Sequence, residues 1–98
     1  MTEQQAMALA EANRVRMARA ALKRKIKAGE LHVWDVLRKP PEFILGIEIG
    51  ALVMCERRWG LSRARSLLAR IPIRETRQLR LLTERQCEQL ASLMEVRS

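Results

Sequence analysis

The sequence predicts an all-α fold in one domain, residues 1–98, and three observations carry that expectation. Residues 3–28 are dominated by Ala, Glu, Gln, Arg, Lys and Leu, with no Pro or Gly to interrupt a helix. Gly29, Pro40, Pro41, Gly60 and Pro72 then cut the rest, residues 30–98, into short helical pieces. The one strand-like alternation, "ILGIEIG" from Ile44 to Gly50, has no second strand signal to pair with.

The first element is a long basic N-terminal helix over 3–28, stopped by Gly29. Val15, Ala18, Leu22 and Ile26 recur at helical spacing and form an apolar stripe. Arg16, Arg19, Lys23 and Lys27 fall on a second stripe beside it. No acid occurs between Glu11 and Glu30, so these cations lack helical ion-pair partners. Like charges four residues apart repel by about a few tenths of a kcal/mol each, which points to an external anion.

"ELHVWDVLR" is a shorter helix offering Val33, Trp34 and Leu37 to the core, and it ends before Pro40-Pro41. "PEFILGIEIGALVMCERRW" supplies a turn of helix, an extended link over 47–49, and a helix over about 50–58. Gly60 separates that helix from the next, for which Ser62 is the expected N-cap. Pro72 ends the "RARSLLAR" helix, and "RETRQLR" makes a compact turn. Thr83 opens the last helix with T-E-R-Q, a capping box closed by Gln86.

Charge narrows the function. The 98 residues carry 19 Lys and Arg against 11 Asp and Glu, a net +8, which on so short a chain points to a polyanion. From Arg57 to Arg80 there are eight arginines and one acid, Glu75, threaded with Trp59, Leu67, Leu68, Ile71 and Ile73. Solvated charge does not need those apolar residues, and a core segment does not need the arginines. A clamp on sugar–phosphate backbone uses both: leucines and isoleucines hold the helices while Arg side chains and helix N-terminal amides grip phosphate. Arg58, Gly60, Ser62, Arg63, Arg74, Arg77, Gln78 and Arg80 are the expected clamp, with Arg16, Arg19, Lys23 and Lys27 as a second, separate DNA-facing surface. Trp59 has two readings, a wedge into a base step or core packing beside Gly60.

No catalytic constellation stands out, so an enzyme is not expected: carboxylates are not paired, Ser and Cys have no His or Asp context, and a phosphate-cradling glycine loop is absent. Cys55 and Cys87 show no metal spacing and are expected to be small core residues in a reducing compartment. His32 is expected to be a surface or helix-end residue. No metal, cofactor, small-molecule substrate or membrane partner is expected, and the chain is read as a cytoplasmic monomer.

Residues 45–90 also resemble a known family. "LGIEIGALVMCERRWGLSRARSLLARIPIRETRQLRLLTERQCEQL" is similar to the helix-two-turn-helix region, here about 50–95, of the actinobacterial integration host factors. The matching positions are Leu45, Gly46, Ala51 and Leu52, then Gly60, Arg63 and Ala64, then Thr76, Arg77, Leu79, Arg80, Leu82, Arg85 and Gln86. Upstream, Arg19, Leu22, Lys23, Lys27 and Gly29 match the end of that family's long first helix. The resemblance covers about residues 14–94. It implies an all-α fold, double-stranded DNA as partner with little sequence preference, nucleoid localisation, and a role in nucleoid organisation and phage DNA recombination, with recombinase or nucleoid partners. Gln78 stands where the family has a second consecutive arginine, and Leu81 and Thr83 replace two glycines. A divergent, phage-carried member fits these departures. The rival readings are an RNA or ribosome-associated binder, because similar units occur in a ribosomal protein, and a phage factor that binds a host protein.

Overall fold

The computed structural model describes residues 1–97. Its helices are α1 (Glu3–Lys27), α2 (Val33–Arg38), α3 (Ile49–Val53), α4 (Leu61–Arg70) and α5 (Glu84–Arg97), with 3₁₀ turns at Glu42–Ile44 and Leu79–Leu81. The fold is all-α. Among the described residues, no helix is long and apolar enough to cross a membrane.

The apolar stripe of α1 behaves as its spacing requires. Leu22 and Ile26 are buried and Val15 and Ala18 are half-covered, while residues 1–14 are exposed throughout. Thr2 starts the helix: its hydroxyl accepts from the Gln5 N–H at 3.1 Å, and the Gln5 side chain accepts from the Thr2 N–H at 2.9 Å. The molecule is correspondingly elongated, 48 × 27 × 23 Å. Behind α1, helix α2 packs along α5, and α4 bridges α3 and α5. Val33, Leu37, Ile44, Ile49, Leu52, Leu67, Leu68, Leu90 and Met94 fill the space between them, all fully buried. Each such side chain contributes about 1.5–3 kcal/mol of burial.

The expected box at α5 is present. The Thr83 hydroxyl accepts from the Gln86 N–H at 3.1 Å, and the Gln86 side chain accepts from the Thr83 N–H at 2.9 Å. Replacing Thr83 by Ala is therefore expected to cost about 1 kcal/mol, read as a lower urea midpoint at unchanged slope. An unchanged midpoint would mean that packing against α2 alone holds this helix end.

Three boundaries differ from the sequence expectation. The helix expected over 50–58 stops at Val53, because residues 54–58 turn so that Glu56 points inward and is buried. The chain reverses at Arg58, whose φ of 68° is left-handed, and not at Gly60, whose φ of −89° is ordinary. Ser62 is not the N-cap of α4. The Gly60 carbonyl already accepts from the Ala64 N–H at 3.0 Å, so the helix begins at Leu61 and Ser62 lies within its first turn.

The alternation at Ile47-Glu48-Ile49 has a partner after all. Ile47 and Ile49 point into the core, Glu48 points out, and Glu48 forms a single antiparallel bridge with Gln78. One bridge is too little to make a sheet.

Candidate nucleic-acid interface

The arginine-rich turn is held by its backbone. Ile49 N–H donates to the Arg77 carbonyl at 2.8 Å, and Gly50 N–H donates to the Glu75 carbonyl at 2.8 Å. In return Leu79 N–H donates to Ile47 at 2.9 Å and Arg80 N–H to Leu45 at 2.9 Å. The first turn of α3 is thus satisfied by the 75–80 segment rather than by a side-chain cap. Leu79, 2% exposed, anchors the turn in the core. Arg65 on α4 braces it with two hydrogen bonds to Glu75, at 2.8 and 3.0 Å, and these hold the Glu75 carboxyl below its ordinary pKa. With the backbone and Leu79 turned inward, Arg74, Arg77, Gln78 and Arg80 are left exposed.

Gly46 is where the two expected DNA-facing surfaces meet. A Cβ placed there would lie 2.9 Å from a guanidinium nitrogen of Arg19 and 3.3 Å from one of Arg80. Arg19 comes from α1 and is steadied by its Nε–H donating to the Phe43 carbonyl at 2.8 Å. Arg80 comes from the clamp turn. Two guanidiniums without carboxylate partners therefore converge over a bare stretch of backbone, leaving a notch that suits one phosphate.

The rest of the α1 stripe continues this face. Lys23 and Lys27 edge an open groove of about 450 Å³ whose floor includes Gly50, Ala51, Leu61 and Thr76. Arg16 lies one turn further along α1 beside Arg19 and Lys23, its guanidinium donating to the Asn13 side chain at 2.9 Å. Leu61, in the first turn of α4, lines the same groove, while Gly60 and Ser62 flank it in sequence. The stripe and the clamp turn are one surface. The sequence expectation of two separate ones is corrected, because a helix whose apolar stripe packs on Glu42–Ile44 must bring its adjoining cationic stripe beside the residues that follow.

Electrostatics favours an outside partner. Among the described residues only three of the 19 Lys and Arg have a carboxylate within 4 Å: Arg14, Arg38 and Arg65. None of Arg16, Arg19, Lys23, Lys27, Arg74, Arg77 and Arg80 is among them, so their field reaches solvent uncancelled. Two acids, Glu48 and Glu75, edge the groove, and only Glu75 is neutralised, by Arg65.

Arg58 and Arg63 go elsewhere. They line a second cleft with His32, Trp34 and Glu56. Arg63 sits 4.0 Å over the Trp59 ring and donates to the backbone carbonyls of Arg58 and Arg97. Trp59, 3% exposed, belongs to the core, which removes it as a wedge. Cys55 and Cys87 are free thiols, half-buried and packed against the edge of the core, and burial raises the pKa of both; for Cys55 the nearby Lys23 and Lys27 act in the opposite direction.

Residue-type reasoning missed Gly50, Glu48, and the pairs Arg65–Glu75 and His32–Glu56. None has a local signal, since each depends on a residue at least ten positions away. Gly46 was matched only as part of a family pattern; its structural use is the Arg19–Arg80 notch. No family model and no curated protein matches the chain in sequence. In three dimensions it is similar to the solved structure of sIHF, an integration-host-factor-type protein, bound to an 8-bp palindromic DNA, with a TM-score of 0.70 and 26% sequence identity over 88% of this chain and 96% of that one.

Proposed function

We propose that this chain is a non-enzymatic duplex-DNA-binding architectural protein of the integration host factor type, of the actinobacterial kind and acting at the nucleoid. The observation that carries it is the convergence of Arg19 and Arg80 at Gly46, flanked by a run of unpaired cations from α1 and the clamp turn. Phosphates lie along the groove, held by Arg16, Arg19, Lys23, Lys27, Arg74, Arg77 and Arg80, with the first turn of α4 at Gly60 and Ser62 offering backbone N–H groups. The similarity to an sIHF–DNA complex supports the same reading.

Thr76 and Gln78 are the uncharged polar side chains among these arginines, and Gln78 is tied by its backbone to Glu48. Contacts are therefore mainly to sugar and phosphate, and selectivity follows duplex deformability more than base edges. Mobile-element origin fits the departures from the family pattern at Gln78, Leu81 and Thr83.

Salt dependence tests the proposal. If about six to eight phosphates are neutralised, log K falls with log salt at a slope of roughly −5 to −7. Competition by unrelated duplexes of equal length is expected to be equal within a few-fold, and structured RNA at matched phosphate is expected to compete poorly. A slope shallower than about −2 rejects the phosphate clamp and favours a protein partner. Tighter binding to RNA rejects the duplex-DNA reading.

A further inference from the structure

The cleft that holds Arg58 and Arg63 shares no wall residue with the DNA groove. Its volume, about 490 Å³, is that of a small-molecule site. One wall is aromatic: the His32 and Trp34 rings are parallel, 4.1 Å between centroids and 7° between planes. The His32 Nδ1 lies 2.9 and 3.1 Å from the two carboxylate oxygens of Glu56. Facing a carboxylate, that nitrogen carries the proton and donates it.

Glu56 is the one charged residue buried among the described residues, 5% exposed, while the His32 side chain is 43% exposed. Burying a carboxylate is costly, and here its visible product is a fixed imidazole orientation on the cleft wall. Around this wall stand Arg57, Arg58 and Arg97, all exposed and without a carboxylate partner among the described residues. Arg63, engaged by Trp59, holds the backbone of Arg58 and Arg97 in place. Arg58 does so in a left-handed conformation that is unfavourable for a side chain of its kind, and such strain gathers at binding sites.

An aromatic stack beside three guanidiniums that have no carboxylate partner among the described residues suits a flat base joined to phosphates. We propose that this cleft binds a purine nucleotide bearing a phosphate chain. The base extends the Trp34–His32 stack over the exposed imidazole, and Arg57, Arg58 and Arg97 take the phosphates. A purine offers the larger π face to the stack. The nucleotide comes either free from solution or as an unpaired terminal nucleotide of DNA. The inference does not rest on the DNA-groove reading, since the residues differ.

The test is a titration of the full chain with ATP, followed by the NMR signals of the His32 ring and the Trp34 indole N–H. Saturable binding is expected, with tripolyphosphate and adenosine each weaker by at least about tenfold. The double variant His32→Ala/Glu56→Gln, which removes the stack without stranding a buried charge, is expected to lose about tenfold in ATP affinity. Arg57→Ala, a change at an exposed side chain, is expected to weaken ATP and leave adenosine unchanged. Blunt duplex binding stays within about twofold in both variants. A second arm compares a blunt hairpin duplex with one carrying an unpaired 5′ purine. A preference of about tenfold for the overhang, lost in the double variant, assigns the nucleotide to a DNA end. The proposal is overturned if tripolyphosphate equals ATP, if the double variant keeps ATP affinity, or if neither ATP nor the overhang engages the cleft.

Discussion

Replacing Arg77 and Arg80 together by Ala is expected to weaken binding to a ~10-bp duplex by about 2–4 kcal/mol, from two lost charge-assisted contacts. Both side chains are exposed and neither has a carboxylate partner, so circular dichroism and the urea midpoint should not move. The structure sharpens the comparison with α1. Lys23 and Lys27 edge a groove that Glu75 and Thr76 of the clamp turn also line, so their joint replacement should register on the short duplex as well as on a ~30-bp one. Arg19 and Arg80 share one notch, and a double-mutant cycle between them is expected to be non-additive, the second replacement costing less than it does alone. Strict additivity would mean that the two arginines hold different phosphates. Wild-type affinity in the Arg77/Arg80 variant would put the DNA on another face.

Two glycines separate stability from binding. A Cβ on Gly50 would lie 2.8 Å from the Glu75 Cβ and 3.0 Å from the Glu75 carbonyl oxygen, inside the backbone contact that seats the clamp turn. Neither backbone can move without breaking the paired hydrogen bonds of 47–50 with 75–80. Gly50→Ala is therefore expected to cost about 1–3 kcal/mol of folding stability, as overpacking does, and to loosen the clamp as well. At Gly46 a Cβ would meet only the ends of two flexible side chains. Gly46→Ala should leave the urea midpoint close to wild type while occupying the notch, so that duplex affinity falls without a fall in stability. A stable Gly50→Ala variant would show that the turn can reseat itself. A Gly46→Ala variant with wild-type affinity would remove the notch from the interface.

Local chemistry was sufficient for much of this protein. Helical spacing placed Leu22 and Ile26 in the core, Gly29 and Pro40 ended elements where they stand, and Thr83 with Gln86 capped the last helix, because each of these depends on neighbours within four residues. The excess of arginine over acid between Arg57 and Arg80 was likewise visible at once and left a polyanion as the natural partner. Distance decided the rest. Whether Arg19 stands with Arg80 or apart from it depends on how α1 packs on Glu42–Ile44, which no spacing within α1 encodes. Arg63 shared a composition with Arg77, yet the left-handed turn at Arg58 and the Trp59 ring directed it to the other cleft. His32 had no neighbour in sequence to mark it, and became part of a wall only because the shortened α3 turned Glu56 inward to meet it. Residue type and periodicity determined which side chains were buried or charged; the packing of α1 and the turns at 54–60 and 74–80 decided which of those charges share a site, since such meetings rest on contacts between residues far apart in the chain.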